Sequence, residues 1–273
     1  MSNTTRVQRD GLAFNIRVEG PAGAPAVVLH HPLATNLSYW DEFTAALVPQ
    51  YRVLRFDARG HGATDAPPAA PPGRYAFETL AADVVGLMDH ANINRAAFVG
   101  LSMGGMVGQH LGLLHADRFN SLAIVSATSR IPDEARSLWV DRVAVAREKG
   151  MTSQVMPALA RWVADTTRMN NPALLARFTR MIETTPLEGY AGWCGAIGRL
   201  DITDRLPAIK LPTLVVVGEK DPATPVAASE VIHRGIPGSE LVVLKGVSHM
   251  LSAEDPSAFH AAMLPFLARH ARA

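Results

Sequence analysis

The spacing of apolar positions changes several times along the chain, and each change marks an element. Val7 to Gly11 and Leu12 to Glu19 read as two short strands around a turn at Asp10-Gly11, with Phe14, Ile16 and Val18 alternating along one face of the second. Further strands follow in Ala26-Val27-Val28-Leu29, a continuous apolar run, and in Arg52 to Phe56, Ala96 to Gly100, Leu122 to Val125, Thr213 to Gly218 and Glu240 to Leu244, which are rich in apolar residues. Such runs suit strands covered on both faces. The segments between them carry apolar residues at helical spacing. They predict helices over Ser38 to Val48, Tyr75 to Ala91, the stretch after Gly100 to about His115, Pro225 to Arg234, and Asp255 to His270. Gly20 to Pro25 and the Pro/Ala-rich Ala66 to Gly73 are loops.

Alternating apolar strands and helices define an α/β fold with a mostly parallel central sheet covered by helices on both faces. The pattern breaks between Arg130 and Arg205, where helical spacing runs on without a strand. We therefore expect residues 1–129 and 206–273 to form one core domain and 130–205 a helical cap inserted before the last strands.

Composition narrows the function classes. The 273 residues fit one α/β domain carrying an insertion. Formal net charge is +1, from 26 basic and 25 acidic residues, which argues against nucleic acid or an anionic membrane as the main partner. No apolar run approaches the roughly 18 residues of a membrane span. The stretch Met1 to Gly11 is polar, and Cys194 is the single cysteine, so no internal disulfide forms. A cytoplasmic location is the expectation.

The candidate chemistry centres on Gly100-Leu101-Ser102-Met103-Gly104, a G-x-S-x-G pattern between a strand and a helix. Glycines at both flanks remove collisions that a serine on so sharp a turn would otherwise create. A serine hydroxyl needs a base, and the base needs an acid partner to fix its tautomer. Asp221 follows the strand ending at Gly218, and His249 follows the strand ending at Leu244. Ends of parallel strands at one sheet edge converge on one crevice, so Ser102, Asp221 and His249 form the expected triad. Asp57, at another strand end, and Glu219 are rival acids. The expected oxyanion donors are the backbone N–H groups of Met103 and Leu33, since Pro32 has none. The pair His30-His31 lacks a third ligand and reads as a polar strand end, so no metal is expected. Arg59-Gly60-His61-Gly62 lacks the Lys-Ser/Thr ending of a phosphate loop and reads as a structural turn packed near the serine. Trp139 and Trp162, in the cap, are candidate walls of a partly apolar pocket.

With these residues in place, the chain resembles the α/β-hydrolase superfamily, and more closely the 3-oxoadipate enol-lactonases. The likeness rests on Arg52 to Gly62, Gly100 to Gln109, Thr184-Thr185-Pro186-Leu187-Glu188-Gly189-Tyr190, and Asp221-Pro222-Ala223-Thr224-Pro225. One stretch departs: His31-Pro32-Leu33-Ala34-Thr35 stands where those lactonases carry an Asn-Ser-Leu-Gly-Thr-like sequence. The resemblance implies hydrolysis of a small carboxylated enol-lactone in aromatic degradation, through the same triad and without a cofactor. It also implies a cap cation for the substrate carboxylate, with Arg130, Arg136, Arg161 and Arg199 as candidates and Arg136 placed beside Trp139 and Trp162 as substrate-binding. A carboxylesterase, a perhydrolase or a carbon–carbon bond hydrolase can use the same triad, and a ligand-binding protein of this fold can retain it.

Overall fold

Eight strands form one sheet in a computed structural model that describes residues 4–70 and 72–271. The first three residues of the polar stretch Met1 to Gly11, and Pro71 in the expected loop Ala66 to Gly73, lie outside the described residues. The strands are β1 (Thr5–Arg9), β2 (Leu12–Glu19), β3 (Ala26–His30), β4 (Arg52–Phe56), β5 (Ala96–Leu101), β6 (Phe119–Val125), β7 (Thr213–Gly218) and β8 (Glu240–Leu244). Their spatial order is β1-β2-β4-β3-β5-β6-β7-β8. The hairpin β1-β2 joins β4 antiparallel, and every pairing from β4 through β3 to β8 is parallel.

Alternate side chains of the central strands feed two separate cores. From β5, Ala96 and Phe98 enter the layer with α2 (Phe77–His90) and α3 (Met103–Leu114). Ala97, Val99 and Leu101 enter the opposite layer with α1 (Asp41–Leu47) and the C-terminal helix. The period of two along the strand is what divides the cores. Each fully buried aliphatic or aromatic side chain contributes roughly 1.5–3 kcal/mol, and every residue of β5 is buried.

Between β6 and β7 the described residues hold helices: α4 (Arg136–Lys149), α5 (Val155–Trp162), α6 (Asp165–Asn170), α7 (Pro172–Glu183) and α8 (Leu187–Gly198), with short 3-10 turns. The two ends of this insertion are stitched together. Ile131 N–H donates to the Leu200 carbonyl at 2.9 Å and Ile202 N–H to the Ser129 carbonyl at 2.9 Å, making an isolated bridge between Arg130 and Asp201. That bridge is strand-like pairing where the sequence pattern predicts helix alone. After β7 come α9 (Val226–Gly235), α10 (Leu251–Glu254) and α11 (Pro256–His270). The predicted helix over Ser38 to Val48 is divided in the structure. A 3-10 turn at Leu37–Trp40, capped by the Asn36 side chain, precedes α1. The predicted loop Ala66 to Gly73 likewise runs into a 3-10 turn at Pro72–Tyr75. No helix among the described residues is long and apolar enough to cross a membrane.

Candidate active site

Ser102 sits between β5 and α3 with φ +55° and ψ −113°, a backbone conformation that side-chain-bearing residues rarely adopt. Its N–H donates to the Val125 carbonyl at 2.8 Å and its carbonyl accepts from Met106 N–H at 3.0 Å, so both neighbours hold the turn. The flanking glycines answer to close approach. A Cβ on Gly100 would lie 2.3 Å from the Gly104 backbone, and one on Gly104 would lie 2.5 Å from the His30 carbonyl oxygen. Strain of this kind persists only where the surroundings over-determine it.

Two later strand ends meet this turn. Asp221 follows β7 and His249 follows β8, and both are almost wholly buried. His249 Nδ1 lies 2.8 Å from Asp221 Oδ2. The Asp221 carboxylate also accepts from Ala223 N–H at 2.8 Å, Thr224 N–H at 3.0 Å and Thr224 Oγ1–H at 2.9 Å. Burial works to raise the Asp221 carboxyl, but His249 and the Thr224 donors outweigh it and hold the group below its ordinary value. An ionised Asp221 fixes the His249 proton on Nδ1 and leaves Nε2 free. Thr224 Oγ1 lies 3.3 Å from the same Nδ1, a contact the sequence reading missed. The loop around His249 is in turn fastened to the helical insertion. Met250 N–H donates to the Trp162 carbonyl at 2.9 Å, and Glu254 accepts Ser248 N–H and Ala164 N–H, each at 2.8 Å.

Ser102 and His249 line a single cavity of about 520 Å³. Leu33 lines it as well, and Leu33 N–H makes no hydrogen bond among the described residues. The next N–H, that of Ala34, is committed to His61 Nε2 at 3.0 Å. Met103 opens α3, where the first N–H groups have no partner within the helix.

The insertion lines the same cavity with Trp139, Trp162, Arg130, Arg142 and Arg161. No Asp or Glu lines the cavity among the described residues. Arg130 faces Asp201 at 3.5 Å. Arg142 and Arg161 make no ion pair among the described residues. The Arg142 guanidinium lies 4.3 Å over the Trp139 ring. Burial first, then the charge of Arg142, lowers the Arg161 guanidinium from its ordinary value. Two like charges on one partly buried wall favour an anion between them.

Other candidates stand elsewhere. Arg136 does not line the cavity, which corrects its expected substrate-binding place. It is exposed and pairs with Asp133 at 3.0 Å, a carboxylate three residues earlier that holds it outside the cavity. Arg199 lines a different cavity. Asp57 is turned to its own surroundings, accepting from Leu37 N–H at 2.7 Å, Ala63 N–H at 2.8 Å and Asn15 Nδ2 at 2.8 Å. Glu219 is exposed and holds Lys245 and Gly246 N–H. Arg59 makes a two-pronged pair with Asp83, 2.8 Å at each contact, which suits a structural turn. His31 Nε2 accepts Ala58 N–H at 2.9 Å, so this imidazole holds backbone. Arg142 was absent from the sequence candidates, although its spacing of three from Trp139 puts both on one helix face.

The sheet order, the strained serine and the buried Asp–His pair at one edge define a class, and comparison with known proteins agrees. Residues 25–256 match the model of the alpha/beta hydrolase fold, so the chain belongs to the α/β-hydrolase family and is an enzyme of the hydrolase class. Within that family it resembles the enol-lactonases. It is 34% identical to 3-oxoadipate enol-lactonase 2 of Acinetobacter baylyi over 252 residues, 92% of each chain. The crystal structure of the enol-lactonase from Burkholderia xenovorans LB400 superposes with a TM-score of 0.92 at 37% identity, covering 97% of this chain and 100% of that one. A hydrolase from Pseudomonas aeruginosa PA01 superposes at 0.91 with 33% identity, covering 97% and 98%.

Proposed function

We propose that this protein hydrolyses a small carboxylated lactone, 3-oxoadipate enol-lactone, through a covalent acyl-enzyme on Ser102. Residues 130–205 act as the cap over the site. The observation that carries the reading is one cavity shared by the candidate nucleophile and base and by two arginines of the cap. Ser102 and His249 line it, and so do Arg142 and Arg161, whose guanidinium groups make no ion pair among the described residues. A substrate with a reactive carbonyl at one end and a carboxylate at the other suits such a lining. The names of the relatives support it further.

The steps follow from the geometry. Ser102 Oγ attacks the lactone carbonyl while His249 Nε2 takes its proton, and Asp221 stabilises the resulting imidazolium. The carbonyl oxygen becomes an oxyanion held by the N–H groups of Met103 and Leu33. One such donor is typically worth about 2.7–4 kcal/mol. The ring C–O bond then breaks, and the enolate leaves as a weak base, takes the proton from His249 Nε2 and tautomerises to the ketone. Water attacks the acyl-enzyme as His249 removes its proton, and that proton returns to Ser102 Oγ. The released product carries two carboxylates. Arg142 and Arg161 hold the one already present in the substrate, at about 1.5–3 kcal/mol for each charge-assisted contact.

Turnover of the enol-lactone, followed spectrophotometrically beside neutral aliphatic lactones of similar size, tests this. The expected kcat/KM advantage for the enol-lactone is about 10- to 100-fold, the equivalent of one charge-assisted contact. Equal kcat/KM values for the two would assign the protein to general esterases instead.

A further inference from the structure

Two buried histidines lace together the loops that flank the candidate oxyanion hole. The residues after β3, His31 to Thr35, lie beside the turn after β4, Asp57 to Gly62. Ala34 N–H of the first donates to His61 Nε2 of the second at 3.0 Å. Ala58 N–H of the second donates to His31 Nε2 of the first at 2.9 Å. Each imidazole accepts at Nε2, so each carries its proton on Nδ1. His31 Nδ1 lies 2.9 Å from the Pro32 carbonyl, and His61 Nδ1 lies 3.4 Å from the Arg59 carbonyl. Burial keeps both rings neutral, with His31 lowered to about 4 and His61 well below the usual imidazole range. The His61 ring is wedged edge-on against Trp193 of α8, whose Nε1–H donates to the same Arg59 carbonyl at 2.8 Å.

The residue held by this contact is strained. Ala34 has φ +55°, in the left-handed region that alanine seldom occupies. A strained residue keeps its geometry only while its partners hold it. We propose that His61 positions the oxyanion hole: by gripping Ala34 N–H it holds Ala34 in the left-handed conformation and so fixes the direction of the Leu33 N–H one residue before. His61 itself does not line the cavity, so it acts through Ala34 and is a positioning residue. Without the Nε2 acceptor, Ala34 relaxes toward negative φ and turns the adjoining peptide units, Leu33 among them. The inference rests on the reading of Ser102 as nucleophile and of Leu33 N–H as an oxyanion donor.

Three variants and two inhibitors test it. His61→Phe keeps the ring and removes the acceptor. His61→Gln puts an amide oxygen near the place of Nε2, and His61→Asn falls short of it. Phenylboronic acid reads the oxyanion hole, because adding a serine oxygen to boron gives an anionic tetrahedral centre. Adipate, a dicarboxylate without such a centre, reads the rest of the pocket. With His61→Phe, kcat is expected to fall about 10- to 100-fold, as small displacements of a reacting group do. KM and the adipate inhibition constant stay near the wild-type values, the boronate inhibition constant rises with the fall in kcat, and His61→Gln recovers most of the loss. If His61→Phe fails to fold, His61→Asn takes its place in the same comparison. A folded His61→Phe or His61→Asn with wild-type kcat and boronate affinity would overturn the proposal, as would equal weakening of boronate and adipate. Failure of the underlying reading looks different, since wild type would then turn over no faster than Ser102→Ala.

Discussion

Asp221 Oδ2 lies 2.8 Å from His249 Nδ1, while Thr224 and Ala223 supply three further hydrogen bonds to the same carboxylate. An amide in place of that carboxylate has one oxygen and one NH2 group, and the imidazole proton then settles on the wrong nitrogen. Asp221→Asn should therefore lower kcat by about 10⁴ while the thermal unfolding midpoint moves little. Steady-state kinetics beside a melting curve separates the two effects. A variant with wild-type kcat would remove Asp221 from the mechanism.

Asp57 makes the opposite expectation. Its carboxylate closes three hydrogen bonds to Leu37, Ala63 and Asn15, and burial raises it above the ordinary carboxylate range despite those donors. Asp57→Ala leaves buried N–H groups without an acceptor, at about 1–3 kcal/mol for each group. Denaturant unfolding should show a loss of about 3 kcal/mol or more, with the folded fraction losing far less turnover than Asp221→Asn. A reversed order of the two activities would make Asp57 the acid partner.

Arg142→Ala and Arg161→Ala should each raise KM for the enol-lactone about 10- to 100-fold, the loss of one charge-assisted contact. A neutral ester should be turned over as before. Arg136→Ala should change neither, since Arg136 pairs with Asp133 outside the cavity. Parallel KM measurements on charged and neutral substrates decide this, and equal losses on both would show that the arginines serve packing rather than recognition.

Stability should fall in mild acid. His30 and His31 are wholly buried, and burial lowers them to about 3 and about 4. The unfolded chain takes up protons at these groups below about pH 6.5, whereas the folded chain does so only near the lowered values. Their contribution is therefore complete above about 6.5 and is lost as pH falls toward 4 and 3, on the order of 2 kcal/mol per histidine at pH 5. Urea midpoints at pH 7.5 and pH 5 measure this. An unchanged midpoint would mean that these rings are protonated at little cost in the folded state.

Much of this arrangement is legible from residue pattern. The apolar runs identify the strands because both faces of the sheet are covered. Asp221 and His249 are found because parallel strands deliver their C-terminal ends to one edge. The cap resists the same reading. On α4, Leu138, Val140 and Val145 are exposed, so its apolar residues do not mark its inner face, and Arg136 and Arg142 cannot be told apart by pattern. The Ala34–His61 contact joins residues 27 apart on two loops, which no local period encodes. The division of the Ser38 to Val48 segment was carried by Asn36, whose side chain caps the 3-10 turn.

The central claim is a covalent intermediate on Ser102, and peptide mass spectrometry of rapidly quenched turnover mixtures tests it most directly. During hydrolysis of the enol-lactone, the peptide containing Ser102 should gain the mass of one substrate molecule, since ring opening expels no fragment. The gain should be absent in Ser102→Ala, which should have lost turnover. An unmodified Ser102 peptide together with sustained turnover by Ser102→Ala would contradict the account.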